Sequence, residues 1–155
     1  MYASSLIKRI LVPTDGSELA NEAARYAAEI AKCCGAKVTV LYAVGTTVFT
    51  EFVTYAVGGG SGGKEQLWQA GTAIVETTKK IFLQANVPVQ TKIIEGPAPE
   101  VILREASDGG YDLIAMGSRG IGTGVVQRTV FGLGSVAERV TSNASCPVLV
   151  VREKR

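Results

Sequence analysis

The stretch KRILVPTDGSELANEAARYAAEIAKCCGAKVTVLYAV, residues 8–44, decides the fold. Its apolar run ILVP predicts a buried strand over about residues 7–13, and the turn residues TDG follow it. An alanine- and glutamate-rich helical segment comes next and stops at Gly35. The residues with helical spacing that are expected on its apolar side are Leu19, Ala23, Tyr26, Ala27 and Ile30. A second β-branched run occupies residues 37–44. Because a whole helix separates the two strands, we expect them to pair in parallel as a βαβ unit.

The rest of the chain continues this alternation. Three further strands are predicted from VPVQTKIIEG at 87–96, YDLIAMGS at 111–118 and CPVLVVREK at 146–154. Three further helices are predicted at 64–85, from Pro99 in the first helical position to the glycine pair at 109–110, and over SVAERVTSNAS at 135–145. Parallel strands need cover on both faces, so the pattern predicts a doubly wound α/β sheet between two helical layers. The residues alone do not fix the strand order.

Composition and charge narrow the functional classes. A length of 155 residues suits one domain, so residues 1–155 are expected to form a single domain. The 16 basic and 14 acidic residues give a net charge of +2 and are interspersed, which argues against nucleic acid as a partner. There is no apolar run of ~20 residues and no secretion signal, so we expect a cytoplasmic protein without a membrane span. The chain has no histidine and no C-x-x-C, which removes the usual zinc ligands.

Two glycine-rich segments match known phosphate motifs only in part. GGGSGGKE fits G-x-x-x-x-G-K from Gly58 to Lys64, but Glu65 stands where a P-loop needs a hydroxyl to hold Mg²⁺. Residues 45–63 are therefore interpreted as a flexible loop. GLGSVA at 132–137 fits a relaxed dinucleotide fingerprint, yet no acidic residue follows about 20 positions on and only one strand remains. Neither segment predicts a P-loop or a dinucleotide site.

A third glycine-rich segment, GSRGIGTGVVQRTVFGLGS at 117–135, lies between the fourth strand and the last helix. Gly117 and Gly120 have the spacing G-x-x-G. Glycines let the backbone approach a ligand closely, so that successive N–H groups can converge on an anion. This segment therefore predicts a phosphate-binding turn.

The start of the last helix strengthens that prediction. Gly134 and Ser135 open the helix, and Ser135 with Glu138 has the spacing of a capping box. The unpaired N–H groups and positive dipole end of a helix favour an anion by ~0.3–1 kcal/mol. Arg119 or Arg128 could add a charge-assisted hydrogen bond, although a solvated surface arginine is the commoner role for each.

Asp15 follows the first strand directly. Ligands of doubly wound sheets bind outside the carboxyl ends of the strands, and a carboxylate at that edge can accept hydrogen bonds from ribose hydroxyls. The alternative is that Asp15 caps the first helix, a role that Ser17 could also fill. The residues leave both roles open.

Three segments together resemble the universal stress protein family, in the branch that binds ATP. They are ILVPTDGS near the start, DLIAMGSRG, and GSVAERVTSNASCPVLVV near the end. The family's nucleotide signature is G-x-x-G, nine residues, then G and S or T, and its two ends match residues 117–120 and 134–135. This chain departs from the pattern because thirteen residues, 121–133, replace the nine. The middle of that loop cannot be matched residue by residue.

The resemblance implies a fold and an assembly. The fold is a three-layer α/β/α sandwich with a five-stranded parallel sheet of order 3-2-1-4-5, similar to flavodoxins and to the adenine nucleotide α hydrolases. Members commonly form homodimers by pairing their last strands antiparallel. PVLVV at 147–151 is apolar and expected at a sheet edge, and an uncovered edge of this kind favours a partner strand.

The resemblance also implies a site for ATP or another adenine nucleotide. Asp15 meets the ribose, Pro13 and the backbone around Ala43 line the adenine pocket, and the signature glycines with Ser135 hold the phosphates. The implied nucleotide-binding residues are Pro13, Thr14, Asp15, Ala43, Met116, Gly117, Ser118, Arg119, Gly120, Gly134, Ser135 and Val136. Backbone N–H groups read phosphate and ignore the base, so AMP, cyclic nucleotides and GTP stay open.

The leading hypothesis is an ATP-binding stress-response protein that acts as a nucleotide-dependent switch or sensor. Hydrolysis is expected to be slow at most, because the chain lacks a histidine and a P-loop lysine, and only Asp15 or Ser135 could help to hold Mg²⁺. Two alternatives stay open. One is an electron carrier that holds flavin mononucleotide on the same sheet, and the other is an interaction module that binds no nucleotide.

Overall fold

The structure is a computed structural model that describes residues 4–45, 62–120 and 132–154. Its elements in chain order are β1 (Arg9–Pro13), α1 (Glu18–Cys34), β2 (Lys37–Val44), α2 (Gly62–Gln84), β3 (Val89–Glu95), α3 (Ala98–Asp108), β4 (Leu113–Gly117), α4 (Ser135–Asn143) and β5 (Val148–Val151). Most of the loop predicted at 45–63 lies outside the described residues, as does Arg128. Residues 62 and 63 belong to α2, so the predicted end of that loop was wrong by two residues.

The five strands form one parallel sheet in the order β3-β2-β1-β4-β5. β1 pairs with β2 on one side and with β4 on the other, so that Ile10 lies opposite both Val38 and Leu113. The chain runs outwards from β1 to β3, crosses back to β4, and runs outwards again to β5. The fold class and the strand order implied by the family resemblance are confirmed.

Each face of the sheet has its own apolar core. α1 and α2 cover one face, where Ile10, Val12 and Phe82 are buried, whereas α3 and α4 cover the other, where Leu11 and Ile114 are buried. Successive residues of β1 therefore point into different cores. This double burial explains why the strand reads as an unbroken apolar run instead of an alternating one.

Helix α1 begins and ends as its sequence predicts. Ser17 is the N-cap, and its Oγ accepts a hydrogen bond from the backbone N–H of Ala20 at 3.2 Å. Gly35 ends the helix with a φ of 69°. The buried side of α1 consists of alanines alone: Ala20, Ala23, Ala24, Ala27, Ala28 and Ala31. Tyr26, which helical spacing also placed on this side, is 45% exposed, because the row of small residues is what packs on the sheet.

Helix α3 starts one residue earlier than predicted. Pro97 is the N-cap, with φ of −61° and ψ of 130°, and Ala98 is the first helical residue. Pro99 is therefore the second helical residue, where its missing N–H also costs no intrahelical hydrogen bond. Among the helices of the described segments, even the 23-residue α2 lacks the uninterrupted apolar length that a bilayer crossing requires.

Two neighbouring residues near the end of α2 test how much core burial contributes to the free energy of unfolding. Phe82 is fully buried against the sheet, whereas Leu83 is 55% exposed. We expect Phe82→Ala to lower the free energy of unfolding by about 3–5 kcal/mol, because it removes buried apolar area and leaves a cavity. Leu83→Ala should change the same quantity by less than ~1 kcal/mol. Urea denaturation of both variants measures the difference, and equal losses would contradict this assignment of the core.

Candidate functional site

A cavity of about 380 Å³ opens at the carboxyl ends of β1, β2 and β4, next to the first residues of α3 and α4. Its volume falls within the range of ~300–1,000 Å³ that is usual for small-molecule sites. The cavity lies beside the β1–β4 pair, where the strand order reverses. Crossover connections on the two sides of this pair leave in opposite directions, which opens a crevice between them.

Every residue of the predicted nucleotide site lines this cavity. They come from the end of β1 and the turn after it (Pro13, Thr14, Asp15), from β2 (Ala43), from the end of β4 and the turn after it (Met116, Gly117, Ser118, Arg119, Gly120), and from the start of α4 (Gly134, Ser135, Val136). The fold thus assembles one surface from segments more than a hundred residues apart. Their role in binding a nucleotide stays a prediction.

Five further residues line the cavity without having been predicted: Leu41, Tyr42, Ala98, Ile102 and Ala137. All five are apolar or aromatic. Leu41, Ala98, Ile102 and Ala137 belong to the apolar core between the sheet and helices α3 and α4, whereas Tyr42 packs against the core on the other face. Their sequence pattern is that of ordinary core residues, with Ala98 and Ile102 one helical turn apart. No sequence signal separates an apolar wall of a site from the apolar core that continues behind it.

The Asp15 carboxylate is fixed at the cavity wall. Its Oδ1 accepts a hydrogen bond from the backbone N–H of Ser17 at 2.9 Å. Ser17, and not Asp15, is the N-cap of α1, so the capping alternative for Asp15 is wrong. The neighbouring Thr14 is buried, and its Oγ1 accepts from the N–H of Gly16 at 3.1 Å. These local bonds position Asp15 at the cavity without using it as a helix cap.

Gly120 comes so close to Asp15 that no side chain fits between them. A Cβ added to Gly120 would overlap Oδ2 of Asp15. Because Oδ1 of the same carboxylate is held by Ser17, relieving that overlap would turn or displace the carboxylate. The two elements that the sequence singled out separately, the turn after β1 and the G-x-x-G turn after β4, are therefore in contact.

Gly117 has a different reason to be glycine. A Cβ added there would lie 3.0 Å from the carbonyl carbon and from the Cβ of Leu19, in the first turn of α1. This spacing is tighter than ordinary van der Waals contact, so the absent side chain lets α1 pack closely on β4. The first glycine of the signature thus serves helix–sheet packing as well as lining the cavity.

Backbone hydrogen bonds hold the two ends of the long glycine loop together. The N–H of Gly134 donates to the carbonyl of Ser118 at 2.7 Å, and the N–H of Ser118 donates to the carbonyl of Val151 at 2.8 Å. Ser118 is itself buried. The loop therefore leaves and rejoins the sheet at the cavity, while residues 121–131 lie outside the described part of the chain.

The start of α4 differs from the predicted capping box. Gly134 is the N-cap, with no side-chain hydrogen bond to the helix, and Ser135 is the first helical residue. Ser135 therefore cannot cap the helix with Glu138, and that prediction was wrong. A glycine cap leaves the first N–H groups of α4 without a side-chain acceptor of the capping kind. These residues line the cavity, so the positive end of the helix faces it.

Among the described residues that line the cavity, two carry charges of opposite sign. Asp15 provides a carboxylate, and Arg119 provides a guanidinium that is 19% exposed. Arg119 forms an ion pair with Glu153, which lies two residues beyond the end of β5. The arrangement offers a carboxylate acceptor, N–H donors, one cation and an apolar wall, which suits a ligand with a hydrophobic ring, hydroxyls and an anionic group.

Comparison with known proteins agrees with this geometry. The universal stress protein family model matches residues 6–152. The universal stress protein MJ0531 of Methanocaldococcus jannaschii is 38% identical over 151 residues, which cover 97% of this chain and 85% of that protein. The solved structure of protein MJ0577 superposes with a TM-score of 0.80 at 29% identity and covers 97% of this chain and 99% of its own.

A second solved structure shares the fold at lower identity. It is the universal stress protein of Archaeoglobus fulgidus in complex with dAMP, with a TM-score of 0.70, 20% identity, and coverage of 95% of this chain and 99% of that one. The family match over nearly the whole chain, the relative at 38% identity and the five-stranded sheet of order β3-β2-β1-β4-β5 agree with one another. The chain belongs to the universal stress protein family.

Proposed function

We propose that the cavity binds an adenine nucleotide, with ATP as the ligand, and that the chain acts as a nucleotide-dependent switch or sensor in the stress response. The observation that carries this proposal is the contact between Gly120 and the Asp15 carboxylate. It places the turn suited to phosphates against the group suited to a ribose, at the point where the strand order reverses.

The apolar side of the cavity suits the adenine ring. Leu41 and Ala43 of β2, Ile102 of α3 and Met116 of β4 all line the cavity and belong to the same apolar core, and such side chains can bury a flat ring. Asp15 lines the same cavity next to Gly120, where its carboxylate can accept hydrogen bonds from ribose hydroxyls. Base, sugar and phosphates then follow one another along the cavity.

The phosphate groups need several weak contributions at once. The dipole end of α4 is worth ~0.3–1 kcal/mol, whereas micromolar binding requires about 8 kcal/mol. The N–H groups of the glycine turn and of the helix start, the Arg119 guanidinium and the buried base therefore have to act together. Asp15 and Ser135 are the residues that would help to hold Mg²⁺, since this ion keeps most of its ligands as water and phosphate oxygens.

Relatives support the ligand class at the level of the fold. The Archaeoglobus fulgidus protein binds dAMP, and another universal stress protein of the same fold has been solved in complex with cAMP. Both are under 25% identical to this chain, so the choice of ATP rests on the signature glycines and on the size of the cavity. Tyr42 is the one aromatic residue among the described residues that line the cavity, and its ring packs beside Gly71 of α2 in the core on the other face of the sheet. This gives less support to a site that stacks flavin between two aromatic rings.

The remaining features of the proposal follow from the sequence. We propose binding instead of rapid turnover, because fast phosphoryl transfer needs a positioned water, a metal and charge stabilisation that these residues offer only in part. We further propose that residues 1–155 act as one cytoplasmic domain without a nucleic acid partner, since the elements share one sheet and the net charge is only +2.

We also propose a homodimer through the last strand. β5 is an edge of the sheet, and its residues are apolar, partly buried from Val148 to Val150 and buried at Val151. The carbonyls of Pro147 and Val151 accept hydrogen bonds from β4 and from the residue after it. Backbone groups of a strand alternate in direction, so those of Val148 and Val150 face the open edge. An antiparallel partner strand would satisfy them.

Gly120 provides the test of nucleotide binding. We expect the unchanged protein to bind ATP, and Gly120→Ala to weaken ATP binding at least tenfold, because the new methyl group displaces the Asp15 carboxylate and blocks close approach of the phosphates. Gly45→Ala is the control, since a Cβ there meets nothing within 4 Å. Isothermal titration calorimetry measures both affinities. An unchanged protein that binds no adenine nucleotide would favour the interaction module instead.

Asp15 can be tested separately through the ribose. We expect the unchanged protein to prefer ATP over 2′,3′-dideoxy-ATP by ten- to a hundredfold, the usual worth of a hydrogen bond to a charged group. Asp15→Ala should bring this ratio close to one. Ser17→Ala, which removes the cap of α1, should lower the free energy of unfolding by ~1 kcal/mol and keep the ratio. If Asp15→Ala leaves the ratio unchanged, Asp15 does not bind the ribose hydroxyls.

Val150 tests the dimer without disturbing the sheet. Proline at this position removes an N–H that faces the open edge and leaves the hydrogen bonds between β4 and β5 in place. We expect Val150→Pro to convert the dimer to a monomer, and Val150→Ala, which keeps the N–H, to leave it a dimer. Sedimentation equilibrium gives the masses. A monomeric unchanged protein, or a dimeric Val150→Pro variant, would contradict pairing through β5.

A further inference from the structure

The segment after β5 lies outside the nucleotide signature and contacts Arg119, a residue that lines the cavity. Val151, the last residue of β5, accepts the backbone hydrogen bond of Ser118, which fixes the start of the tail beside the turn after β4. Two residues later, Glu153 forms an ion pair with Arg119. Arg119 lines the cavity, whereas Glu153 does not, so the carboxylate approaches the guanidinium from the rim.

The two partners differ in how firmly the surroundings hold them. The side chain of Arg119 is 19% exposed and that of Glu153 is 65% exposed. An ion pair with one partner this exposed is weak, because water screens it and the carboxylate keeps its freedom to move away. A phosphate group can bind the same guanidinium through two short charge-assisted hydrogen bonds. The exchange of carboxylate for phosphate is therefore favourable, but it is not without cost.

We propose that Glu153 is a specificity-determining residue of the site, which competes for Arg119 with the phosphate groups of the ligand. This inference rests on the proposed nucleotide site and adds a residue to it from outside the family signature. Once displaced, the Glu153 carboxylate stays near the phosphates and repels them, and the repulsion grows with the charge of the ligand. Glu153 thus lowers affinity most for ATP, less for AMP and not at all for adenosine.

Charge-neutral substitution of Glu153 tests the competition. We expect Glu153→Gln to raise the affinity for ATP two- to fivefold, which is the size of an exposed ion pair, and to change the affinity for adenosine less than the experimental error. AMP should fall between them. The gain for ATP should shrink as the salt concentration rises, because salt screens the repulsion. Glu29→Gln, an exposed glutamate on α1 that does not line the cavity, is the control for the loss of one negative charge.

A double-mutant cycle decides whether Glu153 acts through Arg119. Arg119→Gln should weaken ATP binding, and in that background the added Glu153→Gln change should no longer give the full gain. If Glu153 had only a structural role, Glu153→Gln would change the affinities for ATP and adenosine by the same factor. Its effect would then not depend on whether residue 119 is Arg or Gln. Melting temperatures of all four proteins establish that each is folded.

The outcomes separate this inference from the proposed function. If the unchanged protein binds ATP and Glu153→Gln binds it equally or more weakly, the role of Glu153 is refuted while the nucleotide site stands. If Glu153→Gln strengthens ATP and adenosine binding alike, competition for Arg119 is refuted as well. If neither protein binds any adenine compound, the site itself is refuted and the role of Glu153 with it.

Discussion

The structure depends on the double pairing of β1, with β2 on one side and β4 on the other. This pairing makes the first strand the centre of the sheet, so its residues must be apolar on both faces. It also places the turn after β1 beside the turn after β4, although about a hundred residues separate them in the chain. The contact between Asp15 and Gly120 is a direct consequence of that neighbourhood.

The glycines of the signature do different physical work. Gly117 allows α1 to pack closely on β4, Gly120 makes room for the Asp15 carboxylate, and Gly134 begins α4 without a side-chain cap. The role of Gly117 is in the packing of the fold, whereas the roles of Gly120 and Gly134 concern the cavity. A motif written only as letters and spacing hides this division, and substitutions at its positions should therefore differ in whether they change stability or binding.

Much of the fold could be predicted because burial on two faces leaves a clear pattern. β2 was placed correctly, but the other predicted strands began two residues early. The reason is visible at Val87 and Tyr111, which are buried although they precede the ladders of β3 and β4. An apolar run reports burial, whereas a strand boundary depends on hydrogen-bond pairing, which neighbouring strands decide. The prediction that Tyr26 is buried was wrong for a related reason. Helical spacing indicates which residues share a face of the helix, but it does not indicate how large a side chain the packing against the sheet allows.

Reasoning from the sequence and from the family resemblance indicated the polar residues that line the cavity, but only part of its apolar lining. Asp15 and the glycines stand out because they interrupt the apolar runs where the strands end, while Leu41 and Ile102 look like core residues in every local respect. The capping box failed because its Ser-x-x-Glu spacing requires Ser135 as the N-cap, whereas the helix begins one residue earlier with Gly134 as the N-cap. Only the three-dimensional position of the helix distinguishes these starts.

The longer glycine loop is compatible with the family site on energetic grounds. Its ends are held by backbone hydrogen bonds, from Gly134 to Ser118 and from Ser118 to Val151, which do not depend on the side chains of the loop. The entropic cost of closing a loop grows only with the logarithm of its length, so thirteen residues in place of nine cost about 0.3 kcal/mol. That cost is small beside the several hydrogen bonds that a phosphate chain can accept. The insertion can therefore change what the loop contacts without moving the backbone groups that face the cavity.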